Sequence, residues 1–173
     1  DVLSIYTASQ DWKIASKDIN ENMDEDIYKM SSELLCEVLD FISNNSLDEI
    51  SNNIEQLYDY IGVSGHITNL YGTGRPESGS EHIFAKKMES KLDVPHGIAV
   101  SFGIILMSIT QEMPVDNIIN AIKKIQVLDA SNLYGVNNSI IEESFMSLIP
   151  RKDRYTIIDR VYGNNNYKSE KLK

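Results

Sequence analysis

Cysteine, tryptophan and proline are scarce in this chain. One cysteine, one tryptophan and four prolines are spread over 173 residues. A lone Cys36 admits no intrachain disulfide and no cysteine-rich metal site. It falls inside an apolar helical pattern and reads as core packing in a reducing, cytoplasmic compartment. No stretch is apolar enough for long enough to span a bilayer, and no signal-peptide pattern is visible, so membrane insertion is not expected. Basic residues are few: 16 Lys and Arg face 26 Asp and Glu, for a net charge of −10 and a pI near 4.7. A surface of that sign repels nucleic acid and anionic lipid, which argues against both as partners. Val, Ile and Thr nowhere alternate with polar residues for long, and there is no internal repeat, so strands and solenoids are not expected. The chain begins at Asp1 rather than Met, as a fragment or processed chain would.

What is present is helical period. Residues 24–42 set Ile27, Met30, Leu34, Val38 and Phe41 at steps of three or four, one apolar stripe. Ser46 and Glu49 fit a capping box, and the helix they open carries Leu47, Ile50, Ile54, Leu57 and Ile61 on one face. Gly62 and Gly65 then loosen the chain, and residues 71–80, with Gly72, Gly74, Pro76 and Gly79, read as loop. Ser78 and Glu81 fit a second capping box, which puts His82 in a helix's first turn. Pro95 ends that segment. Residues 97–109 are apolar nearly all round, as a central buried helix is. Pro114 suits the first turn of a further helix with Val115, Ile118, Ile119, Ile122 and Ile125 on its face. Another starts near Asn138, carries Ile141, Phe145 and Leu148, and stops by Pro150. A last short helix fits 154–162. The expected architecture is an all-α multi-helix bundle of about seven to nine helices. Residues 1–162 form the domain, and 163–173, rich in Asn and Lys, are a frayed tail. At this length a chain buries roughly 68–70% of its unfolded surface, enough for a substantial core.

Two of the three histidines stand in telling contexts. His82 ends the phrase RPESGSEH (75–82), and 14 residues on His96 opens the phrase HGIAVSFG (96–103). Neutral imidazole is a ligand for zinc, iron and nickel. A catalytic ion needs two or three protein ligands and an open position. A histidine near a helix start is, taken alone, more often a satisfied polar residue than a ligand.

These two phrases resemble the helical half of the metal-dependent polyol dehydrogenases, a superfamily that includes iron-containing alcohol dehydrogenases, glycerol dehydrogenase, sn-glycerol-1-phosphate dehydrogenase and 3-dehydroquinate synthase. DVLSIYTASQDWKIA (1–15) is similar to the stretch where an aspartate ligand opens the helical domain and Asp-Trp follows, here Asp11-Trp12. RKDRYTIID (151–159) is similar to a C-terminal phrase of the glycerol-1-phosphate dehydrogenase branch. The resemblance implies a C-terminal, metal- and substrate-binding domain of the dehydroquinate synthase-like fold. It implies Asp1, His82 and His96 as ligands of one divalent ion: Zn²⁺, with Fe²⁺ or Ni²⁺ as alternatives. It further implies that the nucleotide-binding N-terminal domain, absent from this chain, brings NAD or NADP. The joint enzyme would interconvert glycerol 1-phosphate and dihydroxyacetone phosphate, and homo-oligomers fit the class. Two features depart from the superfamily pattern: the His82–His96 gap is short, and Ile98 stands where many relatives carry an acidic residue.

Other residues carry weaker signals. Arg75 suits a substrate phosphate or, more simply, a structural contact in its Gly-rich loop. Ser78 is a capping or substrate residue, and His66 a loop residue or a further group in the substrate cleft. Trp12 and the nine tyrosines read as packing. Three other functions stay open on these residues. One is a dehydrogenase for glycerol or another small polyol. Another is a sugar-phosphate cyclase, against which Asp1 argues because that branch uses glutamate there. The third is a non-catalytic helical interaction domain.

Overall fold

The computed structural model describes residues 1–162; the expected tail at 163–173 lies outside the described residues. A 3₁₀ turn at Val2–Ser4 runs into α1 (Ile5–Ile19). There follow α2 (Glu25–Asn44), α3 (Leu47–Asn52), α4 (Ile54–Tyr71), α5 (Ser80–Glu89) and α6 (His96–Thr110). The last helices are α7 (Asp116–Lys124), α8 (Val127–Ser131), α9 (Asn138–Met146) and α10 (Ile157–Tyr162). Among the described residues there is no strand, only an isolated bridge between Arg151 and Arg154. The fold is all-α, as the 3–4 spacing predicts. Among the described residues no helix is long and apolar enough to cross a membrane.

The core lies between α1, α2, α5, α6 and α7. Trp12, Phe84, Met88, Ile104, Met107, Ile118 and Ile122 are all but completely buried in it. The apolar 97–109 stretch is the central helix, though Ile109 emerges at its end. Local signals set several boundaries. Asp24 caps α2 by accepting from the N–H groups of Asp26 and Ile27, at 3.1 Å each. The Ser46–Glu49 box forms as expected: Glu49 accepts the Ser46 N–H at 2.7 Å, and Ser46 Oγ accepts the Glu49 N–H at 3.3 Å. Gly72, at φ 86°, ends α4 in the left-handed region that a Cβ disfavours.

Several expectations fail locally. The 46–61 stretch is two helices, because the chain breaks at Asn53, and short α8 adds another; the described residues form ten α-helices where seven to nine are expected. α4 runs straight through Gly62 and Gly65. Its expected stripe is buried only in part: Ile54 and Ile61 are exposed, Leu57 is half-buried against the core, and the fully buried residues are Ser64 and Ile67. In α2 the buried row is Ile27, Ser31, Leu34, Leu35, Val38 and Ile42, which turns Met30 outward. Cys36 follows Leu35 by one 100° step and is exposed, so it is not core. Pro114 precedes α7 by two positions instead of occupying its first turn.

The most consequential polar group is one that no local pattern marks. Asp11, in the middle of α1, is fully buried. Its Oδ2 accepts the Ser80 N–H at 2.6 Å and its Oδ1 the Ile157 N–H at 2.7 Å. Those are the first residues of α5 and α10, whose opening N–H groups have no partner within their own helix. One carboxylate therefore caps two helices from outside both. Burial, and after it the nearby Glu81 carboxylate, push its pKa up to about 6, while the two backbone donors pull the other way. Thr156 completes the start of α10: its N–H donates to Asp159 at 2.8 Å, and its hydroxyl accepts from Ile158 N–H at 3.2 Å.

Replacing Asp11 by Asn keeps its shape but turns an amide donor toward one of the two N–H groups, and should cost about 1–3 kcal/mol. The folded carboxyl takes up its proton near pH 6, the unfolded one only near 3.8. Between those values the folded state holds more protons, so this group stabilises the fold as pH falls. Urea midpoints of wild type and Asp11→Asn should therefore diverge between pH 7 and pH 4, with wild type gaining; parallel profiles would contradict the role given to this carboxyl.

Candidate metal centre

His82 reaches its position through two close backbone approaches. Gly79 precedes α5, and a Cβ there would lie 2.5 Å from Asp11 Oδ2 and 3.0 Å from the Ala8 Cα. Only glycine lets the chain enter against α1 at this point. Gly103 in α6 faces the Glu81 carbonyl oxygen, 2.5 Å from where its Cβ would be. α5 and α6 are thus packed almost backbone to backbone, and among the described helices they share the most extensive contact. Gly79, not Ser78, is the N-cap of α5, and no side chain caps it in the expected way. The expected box does not form: Glu81 Oε1 instead accepts the N–H of Gly79, at 2.5 Å. The Ser78 side chain takes no part in that bond, and the Ser78 carbonyl accepts from Arg154.

The structure brings Asp1, His82 and His96 together. One ligand atom from each lies within 4.8 Å of the others. Asp1 Oδ1 stands 3.5 Å from His96 Nε2 and 3.8 Å from His82 Nε2. The two rings are 5.3 Å apart, centroid to centroid, and tilted by 49°. Ligand atoms at 2.0–2.1 Å from one tetrahedral ion are about 3.4 Å from each other. Closing the cluster on an ion therefore takes movements of well under an ångström at Asp1 and somewhat more between the rings. The donor set, one carboxylate and two imidazoles, leaves a divalent ion with net charge +1 and open positions. The side chains grade outward, from His82 at 16% exposure through His96 at 45% to Asp1 at 59%. The cluster thus opens to solvent on one side. It is a candidate metal-binding triad, consistent with a metal cofactor. A concavity along α2, at Tyr28, Ser32 and Cys36, lies elsewhere on the surface.

The other residues singled out from sequence lie apart from the triad's donor set. Arg75 is buried, with 3% of its side chain exposed. Its Nε pairs with Glu21 at 2.8 Å, and Nη2 donates to the carbonyls of Tyr155 at 3.0 Å and Asp11 at 3.2 Å. Its guanidinium ties α1, the 72–79 loop and the segment before α10 together. Arg154 does the same from the other side, donating to the Ser78 carbonyl; burial lowers its pKa, with Arg75 adding to the effect. Ser78 is half-buried and His66 is exposed on α4. Glu77 was not singled out by sequence, yet it accepts from the Ser64 hydroxyl through its carboxylate and from Ser4 through its carbonyl. It braces the segment after Asp1 against α4. Its position inside the RPESGSEH phrase was the available signal.

No family model matches the chain. Among curated proteins it is similar to glycerol-1-phosphate dehydrogenases (NAD(P)+). It is 31% identical to that of Methanosphaera stadtmanae over 164 residues, covering 91% of this chain and 46% of the relative. It is 29% identical to that of Methanococcoides burtonii over 164 residues, covering 91% and 45%. For that of Thermococcus kodakarensis the identity is 25% over 166 residues, covering 92% and 46%. The chain spans about half the length of the curated relatives it matches. These matches are homology to an oxidoreductase family, consistent with a helical domain of the metal-dependent polyol dehydrogenase superfamily.

Because Gly103 lets the Glu81 backbone approach α6, Gly103→Ala should push α5 and α6 apart. Overpacking of this kind costs about 1–3 kcal/mol, so thermal unfolding should occur several degrees lower. A fully stable Gly103→Ala variant would show that the helix pair has slack at this point.

Proposed function

We propose that this chain is the metal- and substrate-binding helical half of an NAD(P)-dependent dehydrogenase that interconverts glycerol 1-phosphate and dihydroxyacetone phosphate. The observation that carries this reading is the convergence of Asp1, His82 and His96, drawn from three separate segments. The similarity to glycerol-1-phosphate dehydrogenases supports it, and so does the coverage of only half their length. In this reading residues 1–162 are the domain, and a nucleotide-binding half outside the chain holds the cofactor. Asp1, His82 and His96 would hold the ion: Zn²⁺ first, with Fe²⁺ or Ni²⁺ accepted by the same nitrogen and oxygen donors. When bound, the ion supplies a Lewis acid that polarises a carbonyl and stabilises the charge of an alkoxide, and the nicotinamide supplies or accepts the hydride.

The chain's own contribution is placement. Two neutral imidazoles and one carboxylate leave excess positive charge where a small oxygen-rich substrate would sit. The solvent-open side of the cluster, at Asp1 and His96, leaves room for that substrate and for an apposed cofactor domain. Arg75 supports the fold in this reading rather than a phosphate, because it is buried and its Nε and Nη2 are spent on Glu21, Tyr155 and Asp11.

Calorimetric titration of the chain with Zn²⁺ should find one site. His82→Ala and His96→Ala should each abolish tight binding, and His66→Ala should leave it nearly intact. The chain alone should not consume NADH or NADPH with dihydroxyacetone phosphate, because hydride transfer needs both carbons held together. Joined to a nucleotide-binding half it should. Equal Zn²⁺ affinity in wild type and His96→Ala would rule out the ligand assignment, and robust turnover by the chain alone would rule out the division of labour.

A further inference from the structure

Each histidine of the triad has a second nitrogen, and in both rings that nitrogen faces a carboxylate. His82 Nδ1 is 2.8 Å from Glu81 Oε1, and His96 Nδ1 is 2.5 Å from Glu89 Oε1. In both rings Nε2 is the atom turned to Asp1. The two carboxylates come from opposite ends of the same ten-residue helix, α5. His82 and Glu89 are seven residues apart, two helical turns, and so share one face of α5. His96, across the turn at the start of α6, folds back over that face.

We infer that Glu81 and Glu89 are positioning residues for the two histidines: each accepts the Nδ1–H, fixes the tautomer with Nε2 unprotonated, and aims that lone pair at the point the triad encloses. The inference rests on the metal-binding reading for its purpose, but the arrangement itself is a property of the metal-free chain. A ring with its proton on Nε2 would present a donor where a ligand is needed. Holding the proton on Nδ1 removes that state before an ion arrives. Carboxylate partners of this kind also raise the basicity of the ligating nitrogen.

The two supports differ in what holds them. Glu81 is fully buried, and each of its oxygens has a further partner. Oε1 also takes the Gly79 N–H at 2.5 Å, and Oε2 takes the Thr7 hydroxyl at 2.7 Å. Its orientation is fixed by α1 and by the backbone. Glu89 is part-exposed, with 30% of its side chain accessible, and is held mainly by the helix it ends. Removing Glu81 would disturb the fold along with the ring; removing Glu89 would leave the fold intact. Glu89 is therefore the clean place to test.

The test has two readouts on the 173-residue chain. The first is long-range ¹H–¹⁵N correlation NMR of the metal-free protein near pH 8. Wild type should show His82 and His96 as Nδ1–H tautomers. Glu89→Ala should return His96 to the Nε2–H form that a free histidine side chain favours, leaving His82 unchanged. The second readout is Zn²⁺ affinity. Glu89→Ala should weaken it about 10–100-fold, and Glu89→Gln, which keeps an acceptor oxygen, should lose less. Unchanged circular dichroism and melting in both variants would separate the effect from unfolding. An Nε2–H tautomer at His96 in wild type, or affinity in Glu89→Ala within twofold of wild type, would overturn the inference. If wild type binds no Zn²⁺ at all, the proposed function fails, and the NMR readout alone then decides: Nδ1–H rings in wild type support the inference and Nε2–H rings refute it.

Discussion

The carboxylate of Asp11 holds distant parts of the chain together. It lies in the first long helix, accepts the opening N–H of α5 from one side and that of α10 from the other, and is sealed from water. The residues it joins are 69 and 146 positions away. Around it the same three segments are tied again. Arg75 reaches from the 72–79 loop to α1 and to the carbonyl before α10, and Arg154 reaches back to that loop. Glu81 lies close enough to Asp11 to raise its pKa, so two carboxylates share a buried region whose charge is balanced by backbone N–H groups, a hydroxyl and nearby guanidinium groups. Such a network is costly when incomplete and rigid when satisfied.

The geometry of the triad follows from this arrangement. Ser80 is fixed by Asp11, Glu81 by Gly79 and Thr7, and His82 comes next in sequence. α6 is drawn against the Glu81 backbone because Gly103 has no side chain, and that contact carries His96 over the same face. Asp1 enters through the 3₁₀ turn whose buried residues Val2 and Leu3 anchor it to the core. The donor atoms thus sit at the rim of a rigid region while their supports lie inside it, as precise ligand geometry requires.

Periodicity in the sequence made helices of the core legible, because α7 and α9 bury Ile118, Ile122 and Phe145 where the 3.6-residue repeat puts them, and α6 was legible because it is apolar nearly all round. It misled at α4, whose apolar residues Ile54 and Ile61 face solvent, and at Cys36, one step off the buried row of α2. Those positions depend on which neighbour covers a face, and no window of local sequence holds that information. The histidines and Asp1 were legible as a set only through the resemblance of their flanking phrases. Spacing alone could not bring residue 1 to residues 82 and 96. Glu81 could be read as a capping residue, and it does take the Gly79 N–H, but its partnership with His82 needed the ring's orientation. Asp11 was visible only as half of an Asp-Trp pair. Its two hydrogen bonds bridge segments that meet only in the folded chain.

An ion at the candidate triad would also change what stability means for this chain. Its three donor atoms come from residues 1, 82 and 96, and they are neighbours only in the folded state. An ion held there would bind the native chain and have little hold on the unfolded one, so its binding free energy would be added to that of folding. At a free ion concentration a hundred times the dissociation constant, the addition is about 2.7 kcal/mol, a sizeable share of the roughly 5–15 kcal/mol that holds an ordinary domain together. Chelation would then act as a mild denaturant. Resistance to proteolysis would track the supply of metal in the surroundings, and ion binding and retention of the native state would form a single equilibrium.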